Sequence, residues 1–147
     1  MNLRGELNIA AASLTASTTY NLLCGASPAH QIIAITGFGL YGAASAAGAS
    51  GLLQFATAAS QGSSGTTVTP GLLSGLSVTF QSSWISTPSS APGTIVPYAS
   101  REVNPQSGIF EFWGQNDWFL MAPSTFWILQ FTPAATGTYS GWLRIAE

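Results

Sequence analysis

The sequence predicts an all-β chain folded as a single-domain antiparallel β-sandwich of the jelly-roll kind, preceded by an extended N-terminal arm. Three observations carry this. Short β-branched and aromatic runs recur along the chain, each bounded by Gly, Pro, Ser or Asn. Eight prolines punctuate those runs, and proline is excluded from the middle of a helix or a central strand. No stretch of helix length combines helical periodicity with capping residues. About eight strands with frequent turns suit two packed sheets, most simply a jelly roll.

Residues 1–12 read as the arm and 13–147 as the sandwich. The arm holds Arg4 and Glu6, and its Leu3, Leu7 and Ile9 alternate as a strand added to a neighbour's sheet edge does. Strand signals follow at 18–23, 31–40, 52–57, 76–80, 94–98, 109–113, 126–132 and 138–145. The last is the clearest: Tyr139, Leu143 and Ile145 share one face, and Ser140, Trp142 and Arg144 the other. In 126–132, Trp127, Leu129 and Phe131 line one face. The opposite face mixes Phe126 and Ile128 with Gln130 and Thr132, which predicts a half-buried surface. The core is expected around Leu129, Phe131, Tyr139, Leu143 and Ile145. Residues 42–51 read as a small-residue loop between two strands, and 82–92 as a loop.

Charge is the most unusual feature. From Leu7 to Ser100 there is no Asp, Glu, Lys or Arg, and charged residues make up 5 % of the chain, against about 25 % in ordinary soluble domains. Surface charge keeps free monomers apart in solution. A chain without it is expected to be covered, by lipid, by copies of itself or by a larger assembly. A transmembrane helix over 32–59 fits by length, but five glycines among Ala and Ser weaken it, at about 1 kcal/mol each relative to Ala. Pro123 interrupts a second apolar window, 118–131. No membrane partner is therefore expected. Three scattered arginines and no lysine make no nucleic-acid footprint. The N-terminus lacks the charged and apolar regions of a secretory leader.

Chemistry-bearing residues are sparse. His30 is the only histidine and is expected to cap the start of the strand at 31–40. Cys24 stands alone and reads as a small buried side chain. Glu102, Glu111 and Asp117 raise the question of a paired-carboxylate hydrolase, but Glu102 and Asp117 fall in loop and turn contexts typical of solvated charges. The glycines at 37, 39 and 42 lack the lysine of a phosphate loop and mark instead a bulge or close backbone approach. No catalytic residue, metal or cofactor is expected. Trp113 and Trp118 bracket the turn Gly114–Asp117 and are the tryptophans expected to reach the surface, where they suit a partner interface or a stacked sugar.

Several segments together resemble a known family. They are Ala-Ser-Thr-Thr before an apolar strand at 16–23, the run Gln-Ile-Ile-Ala-Ile-Thr-Gly-Phe-Gly-Leu at 31–40, and Leu-Leu-Gln-Phe-Ala-Thr at 52–57. Trp-Ile-Leu-Gln-Phe at 127–131 and a Trp-containing last strand ending in Glu147 complete the pattern. Across residues 13–147 it resembles the β-sandwich capsid decoration, or cement, proteins of tailed phages. The resemblance implies a non-enzymatic virion protein made in the host cytoplasm. It implies homo-oligomers, commonly trimers, seated on the head surface where major capsid subunits meet. The candidate interface is Leu3, Arg4, Leu7, Ile9, Trp113 and Trp118. The alternative is a carbohydrate-binding, lectin-like module or another virion or tail component.

Overall fold

The computed structural model describes residues 3–44, 50–73, 79–87 and 92–147. In chain order the strands are β1 (Arg4–Leu14), β2 (Tyr20–Ala26), β3 (Ile33–Ala44), β4 (Gly51–Ala58), β5 (Thr66–Thr67), β6 (Gly71–Leu72), β7 (Ser83–Ser86), β8 (Ile95–Val103), β9 (Ile109–Phe112), β10 (Phe119–Met121), β11 (Phe126–Thr132) and β12 (Gly137–Ala146). A 3-10 turn, Gln115–Asp117, precedes β10. All pairings are antiparallel.

One sheet runs β10-β3-β12-β1-β6, with β9 also on β3; the other runs β5-β7-β2-β11-β4-β8. With the short β5, β6 and β7 set aside, the first sheet orders as β1, β12, β3 and then β9 with β10. The second orders as β2, β11, β4 and β8. Consecutive strands β1 to β4 alternate between sheets, and β11 and β12 insert between earlier ones. This is the double Greek-key order of a jelly roll.

Alternation along each strand decides the core. Leu7, Leu143 and Phe38 stand abreast in the first sheet, and Leu23, Leu129 and Phe55 in the second. All six are at most 1 % exposed. The two layers meet through aromatic contacts, Phe38 against Phe55 at 5.1 Å and Phe131 against Tyr139 at 5.0 Å between ring centroids, and within the second sheet Phe55 also packs on Trp127 at 5.4 Å. Edge-on and tilted pairs of this kind add to the burial of the rings themselves. The expected core residues Leu129, Phe131, Tyr139, Leu143 and Ile145 all lie in it.

Three expectations are corrected. Residues 1–12 are not an arm leaving the domain. From Arg4 onward the segment is β1, an internal strand held by β12 on one side and β6 on the other. Leu3, Leu7 and Ile9 alternate because they face the chain's own core; Met1 and Asn2 lie outside the described residues. The loop expected over 82–92 contains β7, whose Trp84 is 1 % exposed and donates its indole N–H to Ser82 Oγ at 3.0 Å. Residues 88–91 of that loop lie outside the described set, as do 45–49 of the small-residue loop and 76–78 of the strand expected at 76–80. Thr79 and Phe80 are described and are not in a strand. The outward face of β11 is half-buried as expected, with Phe126, Gln130 and Thr132 partly covered and Ile128 fully covered beside Cys24 and Ala56. Gln61, in the connection leaving β4, donates to the carbonyl oxygens of Cys24 and Ser83.

The window 32–59 forms β3 and β4 on either side of residues 45–49. Among the described residues no helix is long and apolar enough to cross a membrane.

Removing the Trp84 indole leaves a void between β7 and the core, and Trp84→Ala is expected to cost about 3–5 kcal/mol in urea unfolding. Burial pushes the Cys24 thiol up to about 12, from the ~8.5 of an exposed thiol. Ellman's reagent at pH 8 is therefore expected to leave the native protein unlabelled and to modify it only after unfolding. Above about pH 8.5 the unfolded thiol ionises while the folded one stays protonated, so stability is expected to fall as pH rises from there.

Candidate functional site

The outward surface of the first sheet does not resemble the surface of an ordinary soluble protein. The alternation that sends Leu143 and Ile145 inward sends Ser140, Trp142 and Arg144 outward. Across β1 they are matched by Glu6 opposite Arg144 and Asn8 opposite Trp142. On the other side β3 offers Gly37 opposite Arg144 and Gly39 opposite Trp142, and β9 follows with Phe112 beside Gly37 and Phe110 beside Gly39.

The two glycines explain how large rings fit here. A Cβ on Gly39 would press on the Trp142 indole, and one on Gly37 would press on the Phe112 ring and the Glu111 carbonyl. Without them, the Trp142 and Phe112 rings come close over the sheet. They stack at 5.0 Å with 25° between planes, and Phe110 adds an edge contact to Phe112 at 6.4 Å. The Arg144 guanidinium lies 4.8 Å from the Phe112 ring centre and 5.1 Å from that of Trp142, within range for a cation–π attraction. Glu6 fixes it, accepting from Arg144 Nε at 2.9 Å. The Trp142 N–H donates to the Tyr41 hydroxyl at 3.1 Å.

Despite this organisation the rings stay in water. Phe110 is 64 % and Phe112 55 % exposed, and Leu120 on β10 is 65 % exposed. Beside Leu120 a groove of about 360 Å³ opens between β10 and β8, with Val96, Tyr98 and Trp127 among its walls. Burial raises the Tyr98 hydroxyl well above its ordinary value. Further along, an ion pair ties the edges of the two sheets: Arg101 Nε meets Glu111 Oε1 at 2.8 Å, and the Trp113 N–H donates to the same carboxylate at 3.0 Å.

The residues expected at an interface divide. Leu3, Leu7 and Ile9 are core side chains and present nothing to a partner. Trp113 is half-buried, 5.4 Å from Phe38 and 4.8 Å from Phe119 between ring centroids. Trp118 is half-buried too, and its N–H donates to the Trp113 carbonyl at 3.0 Å. The two do not form an exposed pair. Arg4 is exposed, with its guanidinium 5.9 Å from the Trp118 ring centre. Arg4, Trp118, Arg144 and Phe112 border one cavity of about 170 Å³. Sequence reasoning passed over Phe110, Phe112 and Tyr41 because an apolar residue on a strand reads as core. Alternation around Glu111 puts the two phenylalanines together on the other face of β9, but which face meets solvent is set only by the pairing with β3.

The other chemistry-bearing residues stay apart. Glu111 is engaged by Arg101 and Trp113, Glu102 pairs in register with Leu52 on the outward side of the second sheet, and Asp117 stands in the 3-10 turn. His30 is exposed in the turn before β3. Among the described residues no three His, Cys, Asp or Glu gather as metal ligands.

Comparison with models of protein families, with curated proteins and with solved structures found no match.

The rings of this face are held against glycines yet contribute little to the core. Phe110→Ser and Phe112→Ser are each expected to change the free energy of unfolding by no more than about 1 kcal/mol, close to the range of surface substitutions. Leu143→Ala, directly beneath on the same sheet, is expected to cost about 2–5 kcal/mol. Urea titration of the three variants checks the contrast.

Proposed function

We propose that this chain is a non-enzymatic structural protein of a virion. Within that class it is a capsid decoration protein that self-associates and seats on the head surface, tying neighbouring major capsid subunits together. The observation that carries the reading is the outward face of the first sheet. A jelly roll with a complete core has no internal need for solvated aromatic rings, and contiguous apolar surface of this kind marks an interface. The charge pattern supports the same reading. Both salt bridges lie within the chain, so the surface left to a partner is dominated by aromatics, Ser, Thr and backbone groups. Such groups form a wet, hydrogen-bonded interface without the desolvation penalty of buried charges. The resemblance of residues 13–147 to phage decoration proteins supplies the particular assembly.

A clamp of this kind needs no reaction. A shell fails where subunits slide past one another, and a protein bridging the seam adds buried apolar area, worth at most about 25 cal/mol per Å² before the costs of association. Symmetry repeats each contact around the shell.

A second reading, a carbohydrate-binding module, is favoured by one observation. The stacked Phe112 and Trp142 rings sit beside Asn8, Glu6 and Arg144, an apolar surface flanked by hydrogen-bonding groups.

The purified chain in detergent-free buffer is expected to show by light scattering the mass of a discrete oligomer. It is expected to co-sediment with empty heads assembled from the major capsid subunit of its own virion. Phe110→Ser/Phe112→Ser is expected to reduce that co-sedimentation at least about tenfold, the loss of a central aromatic contact. A wild-type chain that leaves the heads bare, while soluble oligosaccharides quench its tryptophan fluorescence, would move the assignment to carbohydrate binding.

A further inference from the structure

The charged side chains, three basic and five acidic, all lie among the described residues. Arg101 pairs with Glu111 and Arg144 with Glu6. The Glu147 carboxylate accepts the backbone N–H groups of Gln81 and Ser82, each at 2.8 Å, fastening the end of β12 to the approach to β7. Among the described residues, Arg4, Glu102 and Asp117 have neither an ion pair nor such a clamp.

Arg4 and Glu102 stand on different sheets in matching settings. Arg4 is exposed on the outward side of the first sheet, its guanidinium over Trp118 at the rim of the 170 Å³ cavity. It is a cation set in an aromatic surface. Glu102 is exposed on β8, the edge strand of the second sheet, directly opposite Leu52 on β4, itself 41 % exposed. It is a carboxylate set beside an apolar side chain. The two surfaces carry opposite charges, each beside an apolar side chain. Asp117 stands in the turn just before Trp118 and makes no salt bridge to Arg4.

We propose that copies of this chain associate head to tail. The Arg4–Trp118 surface of one copy receives the Leu52–Glu102 surface of the next. The proposal rests on the self-association in the reading above and adds which surfaces meet and with what symmetry. The two patches are different surfaces on different sheets, so the contact is heterologous. Such contacts repeat around a rotation axis and close into a ring when the rotation allows, whereas an isologous pair presents the same patch twice. The exposed ion pair itself contributes little affinity. Its role is to set register and reject the wrong pairing, since like charges brought together across an interface are strongly disfavoured.

Charge reversal tests this. Arg4→Glu and Glu102→Arg are each expected to raise the concentration at which the oligomer dissociates by about tenfold or more, read by light scattering over a dilution series. The double variant Arg4→Glu/Glu102→Arg, which restores opposite charges across every contact, is expected to return to within about threefold of wild type. Asp117→Asn is expected to leave the oligomer intact. Urea midpoints check that each chain is folded, and if a reversal unfolds it, Arg4→Gln and Glu102→Gln take its place, with weakening again expected. An oligomeric wild type whose mass ignores every single substitution, or a double variant no better than the singles, overturns the head-to-tail contact and leaves self-association standing. A wild type that is monomeric at every concentration tested overturns both.

Discussion

The last strand has to lie between the first and the third. β12 hydrogen-bonds to β1 along one side and to β3 along the other, and Leu3 and Glu147 exchange both backbone bonds to extend the ladder to the chain's end. A Cβ on Gly141 would overlap the Gly39 carbonyl, so this central position of β12 is open only to glycine. The first sheet is therefore complete only when the C-terminus arrives, and its assembly depends on contacts between residues far apart in sequence, the kind that form slowly. The same placement sets the candidate surface. Trp142 and Arg144 reach the middle of the outward face because β12 is in the middle, and Glu6 meets Arg144 because β1 is beside it.

A second constraint is the scarcity of charge. Each ion pair joins separate parts of the fold: Arg101 and Glu111 tie the edges of the two sheets, and Glu6 and Arg144 tie the first strand to the last. Side chains exposed this far gain little from such pairs, so they serve alignment more than stability, which comes from the apolar layers. The remaining surface stays hydrated through Ser, Thr, Asn, Gln and backbone groups. Rings such as Phe110 and Phe112 then lie in a surroundings that does not repel an approaching protein. The exposed aromatic face and the low charge are two aspects of one composition.

Much of the fold was legible because burial on one side of a sheet imposes a period of two. β11 is the predicted segment 126–132, and β12 differs from its prediction by one residue at each end. The elements that were missed share a reason. β1 alternates apolar and polar residues as any half-buried strand does, and nothing local says whether its partner is its own sheet or a neighbour's. β7 is four residues long and lies among Ser and Thr; only the placement of Trp84 under the second sheet makes it core. For the candidate face, the outward set Ser140, Trp142 and Arg144 was readable from β12 alone, whereas Phe110 and Phe112 were not. Their exposure depends on which side of β9 meets β3.

By itself the sequence determined the class of the fold, most of the strands, the inward residues of β11 and β12, and a surface poor in charge. Each of these follows from local periodicity, turn chemistry or composition, which the chain carries residue by residue. Only the tertiary structure decided that the first strand closes on the last. It also decided that Trp113 packs against the core while Trp142 stacks on Phe112, and that Arg4 and Glu102 stand on different sheets with no ion pair among the described residues. Those outcomes depend on strand order, and strand order is set by which distant segments bury one another best.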